Sequence, residues 1–139
     1  MSGETPTRAE ITGGVCSAYG LVTWGSLFND RQLTALLTFS ELFSALRKQV
    51  FDDASKAGLT SGGDGLQQDG SGARAYAEAV SIYLSFAVTK LADRGSTICS
   101  WDSSRTILRN TFARQGIPMT WDYAEGNPFS SSTGNWSSC

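Results

Sequence analysis

No histidine occurs among the 139 residues. That absence excludes Ser-His-Asp and Cys-His catalysis and every metal site built on imidazole. Cysteine is scarce: Cys16, Cys99 and Cys139 are odd in number and far apart in sequence. Such an arrangement makes neither a disulfide framework nor a convincing zinc site, so the three thiols are read as inert. Charge of one sign is also missing. Eleven basic residues face thirteen acidic ones, for a net charge of −2, whereas a freestanding nucleic-acid binder is normally basic. No apolar run approaches the ~18 residues of a membrane span. The N-terminal MSGETPTRAE carries no apolar signal core, so the cytoplasm is the expected compartment.

The chain does have material for a core. Hydrophobic residues make up 40% and aromatics 11%, and a chain of this length buries roughly 65–70% of its unfolded surface. Residues 1–18 read as a flexible lead-in and residues 19–136 as a single helical domain. Asn29 followed by Gln32 is a capping-box pair. Beyond it Leu33, Leu36, Leu37, Phe43, Leu46 and Val50 recur at steps of three and four, which predicts a helix over about 30–56, with Gly58 as its stop. Residues 58–72 are rich in glycine and form an interhelical loop. They lack the preceding strand and the lysine of a phosphate-binding loop. A second helix is predicted over about 73–94. Its apolar residues, Tyr76, Val80, Ile82, Tyr83, Leu84, Phe86, Val88 and Leu91, cover more than half its circumference. The two helices are expected to pack antiparallel through Leu36, Phe43, Leu46, Tyr76, Val80 and Leu84. Asp102 or Ser103 reads as the cap of a third, shorter helix over 105–115, with Ile107 and Phe112 facing inward. The expected fold is all-α: a small domain of two long helices and one shorter helix, with aromatic extended arms at both ends.

Three places could carry chemistry. Residues 90–114 hold Lys90, Arg94, Arg105, Arg109 and Arg114 against Asp93 and Asp102, a local net charge of +3 in a chain whose remainder sums to −5. Arg105, Arg109 and Arg114 are therefore the candidate phosphate or DNA contacts. A solvated face paired with Asp93 and Asp102 is the plainer reading. Asp122 and Glu125 are close enough in sequence to share acid–base work or a metal, though capping and structural pairing explain them as well. Asn127-Pro128-Phe129 has the order of part of an adenine-methylating motif, in which a polar side chain accepts from the exocyclic amine and an aromatic ring stacks on the flipped base. With one proline instead of two, it reads as a turn.

Longer stretches carry a resemblance. YGLVTWGSLFNDRQLTALLTFSELF (19–43), the run from Tyr76 to Phe129, and SSTGNW (131–136) resemble the central segment of a family of large bacterial adenine-specific DNA methylases that also contain a domain of unknown function. The match is most specific at Phe28, Arg31-Gln32, Arg109 to Phe112, Trp121-Asp122, Glu125 and Asn127 to Phe129. In that family the segment follows the cofactor-binding region and precedes an Asp-Pro-Pro-Tyr catalytic motif. Neither motif falls within these 139 residues. The resemblance implies a helical fragment that packs beside a methylase fold and helps to shape its DNA cleft. It implies no catalytic, cofactor-binding or metal residue in this chain.

Two expectations follow. In the first, the chain is a non-catalytic methylase-like fragment whose partner is a methylase catalytic domain and whose DNA binding is weak and salt-dependent. In the second, it is an autonomous binding module that self-associates as a homodimer, with no DNA role and no membrane association. The contact would come from the second helix or from the aromatic arm, where Trp121, Tyr123, Phe129 and Trp136 are the candidate interface residues.

Overall fold

The computed structural model describes residues 3–7, 15–114, 116–132 and 134–136. It is mostly helical, with two long helices and one small sheet: α1 (Asp30–Lys56), α2 (Ala73–Arg94), β1 (Trp101–Asp102) and β2 (Ile107–Leu108). Short 3-10 turns occupy Cys16–Tyr19, Trp24–Leu27 and Leu66–Gln68.

The two ends of α1 are set by local chemistry. The Asn29 side chain accepts from the Gln32 backbone N–H at 2.9 Å, and the Gln32 side chain accepts from the Asn29 N–H at 3.0 Å. Two orphan donors of the first turn are thereby satisfied. At the other end Gly58 adopts φ +99°, its N–H bonds the Ser55 carbonyl, and the Leu59 N–H reaches back to Ala54. This 6→1 and 5→2 pair closes the helix in a Schellman motif, for which glycine is the strain-free choice.

Where a third helix is expected over 105–115, the chain forms an antiparallel hairpin. Trp101 pairs with Leu108 and Asp102 with Ile107. The Asp102 carboxylate accepts from the backbone N–H groups of Ser104 and Arg105 and from the Ser104 hydroxyl. Those are the bonds of a helix cap, but they close a turn here. Thr106 sits at φ +57°, a left-handed conformation that no helix interior tolerates. The Arg109 N–H then bonds the Ser100 carbonyl at 2.9 Å and extends the pairing. Ile107 is half-buried and Phe112 is 38% exposed, so neither is the fully inward residue that a helix would have made it.

The chain divides into two compact units, one formed by the described residues up to Leu36 and from Thr89 onward, the other by Leu37–Val88. The first has a core of Val15, Cys16, Leu27, Phe28, Leu36, Leu91, Ile98, Cys99, Leu108 and Ile117, all buried. Bonds between segments distant in sequence lace it together. Cys16 N–H meets the Ile117 carbonyl, Thr97 gives both its N–H and its hydroxyl to the Leu27 carbonyl, and Ala124 N–H meets the Cys99 carbonyl. The described part of the lead-in belongs here too. Thr5 is buried and donates its N–H to Val22 and its hydroxyl to Leu21, and the Trp24 N–H bonds Gly3. Gly134, at φ +83°, lies so close to Leu108 that a Cβ would stand 2.8 Å from a leucine methyl.

In the second unit polar bonds tie α2 to α1 and to the loop before it. The Ala73 N–H bonds the Thr60 carbonyl. Glu78 accepts from Arg47 of α1, from Arg74 one turn earlier, and from the Leu66 N–H of the loop at 2.7 Å. Of the residues expected to pack α1 against α2, Leu36 is buried, in the first unit. Phe43, Leu46, Val80 and Leu84 are half-buried, and Tyr76 is 53% exposed. The fully buried apolar residues of this unit are Ala54, Ala73, Ala75 and Ala77.

Candidate functional site

The three arginines singled out from the sequence line one cleft of about 320 Å³ in the first unit. They reach it from three different local structures and not from one helix face. Arg105 projects from the hairpin turn, Arg109 follows β2, and Arg114 lies in the segment beyond. Ser100, Asn110, Thr111 and Thr120 add polar groups to the wall, and Ile98, Ile107, Leu108 and Pro118 supply its apolar part.

The cleft is held in shape by residues that the sequence reading missed or misassigned. Asp93, expected to pair with an arginine, instead binds the Asn110 side-chain amide and the Phe112 N–H, while its carbonyl accepts from the Thr111 N–H. Buried Thr111 shares a 2.8 Å hydrogen bond with buried Ser96. The Cys99 thiol donates to the Arg109 carbonyl at 3.0 Å. Burial, and then the charge of Asp93, push this thiol up to about 11, so it stays protonated and structural at neutral pH. None of these long-range bonds has a spacing signature; only the crowding of Ser and Thr near Cys99 hints at them.

Among the described residues Asp102 is the one acidic residue lining the cleft. Its carboxyl lies below the usual range because the Ser104 hydroxyl bonds it, followed by the N–H groups of Arg105 and Ser104 and the charge of Arg109. Arg109 Nε stands 3.9 Å from it, a long ion pair that leaves the guanidinium half-exposed. Three arginines against one aspartate leave the lining at +2. The Leu37–Val88 unit has a larger concavity, about 470 Å³, bordered by Arg47, Arg74 and Glu78. There both arginines already hold the same carboxylate, so little positive charge is left for a ligand.

No protein-family model, curated protein or solved structure matches the chain. The methylase resemblance therefore rests on the residues quoted for it.

The other candidates fall in structural roles. Glu125 is gripped by both guanidinium nitrogens of Arg31 and by the Gln32 amide at 2.9 Å, and this holds its carboxyl below the ordinary 4.5. Asn127-Pro128-Phe129 is a turn, with the Asn127 side chain accepting from the Phe129 N–H at 2.9 Å. Of the aromatic quartet, Trp121 is 76% exposed and meets Tyr19 edge-on at 5.2 Å, and Tyr123 is bonded through its hydroxyl to Asn29. Phe129 is 81% exposed, and Trp136 is half-buried with its N–H on the Pro128 carbonyl. Cys16 and Cys99 are free and buried, and Cys139 lies outside the described residues. Among the described residues no cluster of His, Cys, Asp and Glu could hold a metal ion, and no helix is long and apolar enough to cross a membrane.

Proposed function

We propose that this chain is a non-catalytic helical module that holds a phosphate backbone, DNA in the first instance, through Arg105, Arg109 and Arg114. What supports the reading is the convergence of these three arginines on one cleft, two of them drawn together by a hairpin. Guanidinium groups suit phosphate because their planar forks match its oxygens, and releasing condensed counterions supplies most of the affinity. With three cations and an overall charge of −2, binding is weak and falls steeply with salt. In this reading the module works in the cytoplasm beside a methylase-like catalytic domain, which supplies the chemistry while this chain adds backbone contacts. The role agrees with the resemblance of most of residues 19–136 to the central segment of adenine-specific DNA methylases.

The test is fluorescence anisotropy on duplexes of unrelated sequence across a salt series. Arg105→Ala with Arg109→Ala is expected to weaken binding to every duplex alike and to lower the slope of log affinity against log salt by about 2. Lys48→Ala, on α1, serves as the charge control and changes little. Equal affinity for the double variant and the parent removes the DNA role from this cleft.

A further inference from the structure

We propose that α2 is a homodimerisation helix, pairing antiparallel with α2 of a second copy across a two-fold axis at Tyr83. This goes beyond the phosphate-binding role and would stand if the arginine cleft bound nothing.

The helix carries two apolar stripes, and only one is covered. Ala73, Ala77, Val80, Leu84, Ala87 and Leu91 recur at steps of three and four on one side, and all are buried or half-buried. Tyr76, Ala79, Tyr83 and Phe86 recur at the same steps on another side, with Ile82 flanking them. There Tyr76 is 53% exposed, Ile82 46%, Tyr83 75% and Phe86 58%. The rings of Tyr83 and Phe86 touch each other edge to face at 6.4 Å and remain open to solvent. Such a seam within an α-helix is what a helical partner buries.

Area and pattern select a second copy as that partner. The exposed parts of the three rings and Ile82 come to roughly 450 Å² per chain, the size of the largest apolar patch on a typical monomer, and such a patch is often a contact surface. Doubled across a two-fold axis, with the small residues between them, this reaches the ~1,000 Å² at which specific interfaces begin. The stripe is also self-complementary. Phe86 lies three residues after Tyr83 and Val80 three before, with Ala79 beside it. An axis at Tyr83 therefore sets the large Phe86 ring of each copy level with the small Ala79 of the other and with Val80, a half-buried residue at the edge of the covered stripe, as isologous pairing requires. The stripe from Tyr76 to Phe86 contains no charged residue, and exposed Lys90 comes one step beyond it. Finally, the Leu37–Val88 unit fully buries only alanines among its apolar residues, and a second copy would supply the aromatic core that it lacks.

Light scattering from low to high micromolar concentration tests the proposal. The parent chain is expected to show a dimer mass, and Tyr83→Glu a monomer mass with an unchanged far-UV spectrum, since Tyr83 is an exposed position. A residue on the axis meets itself, so Tyr83→Cys in a Cys139→Ser background should cross-link to a covalent dimer under mild oxidation, while Lys48→Cys in the same background should not. A monomer mass for the parent at high micromolar concentration overturns the proposal. So does a dimer that survives Tyr83→Glu, or one in which Tyr83→Cys fails to cross-link. Flotation of a monomeric parent with lipid vesicles would also overturn it and give the face a lipid occupant instead.

Discussion

The two units both leave aromatic rings exposed, Trp121 and Phe129 in one and Tyr83 and Phe86 in the other, but only the first also buries large aliphatic side chains fully. Around the hairpin, apolar side chains are fully withdrawn from water: Leu27 and Cys99 are 0% exposed and Val15 1%. They are locked by backbone bonds that join residues 16 and 117, 27 and 97, and 99 and 124. Between Leu37 and Val88 the helices are regular, yet Leu37, Leu42, Tyr76, Tyr83 and Phe86 are each more than half exposed. One carboxylate, Glu78, ties two arginines and a loop N–H together. Helical hydrogen bonds are local, but an isolated helix is marginal in water, so regular secondary structure by itself does not imply stability. Apolar burial is what offsets chain entropy, and it is concentrated in the first unit.

The largest effect should come from the densest packing. Leu27→Ala leaves a cavity that the laced backbone cannot collapse, and is expected to lose about 2–5 kcal/mol in urea unfolding. A loss under about 1 kcal/mol would mean that this core is as loose as the helical unit. Leu46→Ala makes the matching truncation at a half-buried site in the other unit, and about 1 kcal/mol is expected. A value equal to that of Leu27→Ala would erase the contrast and show that the helices bury more together than residue exposure suggests.

The smallest effect is electrostatic. Glu125 and Glu78, one in each unit, both titrate below the ordinary 4.5. Arg31 is the main cause for Glu125, and the Leu66 N–H and then Arg74 for Glu78. A depressed carboxyl contributes stability that is present above its unfolded value and is lost as pH falls through the folded one. Glu125→Gln and Glu78→Gln are therefore each expected to lower the melting temperature at pH 7. The gap to the parent should close as pH drops below about 4.5, where the parent carboxylates also become protonated. A gap that persists unchanged at low pH would show that shape and not charge carries these contacts.

The sequence by itself determined what depends on neighbours within one or two turns. Asn29 and Gln32 started α1, Gly58 ended it, the spacing of apolar residues marked both long helices, and the single proline after Asn127 made a turn. Each is legible because the cap, the left-handed glycine and the i, i+4 stripe act over a few residues. The segment after Ser100 was not legible in the same way. Asp102 makes the same cap bonds to a turn as to a helix, and the choice fell to Thr106 in its left-handed conformation and to the pairing of residues 100–102 with 107–109. Tertiary structure alone brought Arg114 to Arg105 and Arg109, with Asp93 holding Asn110 and Phe112 in the segment that joins them. It also chose which stripe of α2 met water. Both stripes are apolar and have the same period, and periodicity carries no information about which side a neighbour occupies.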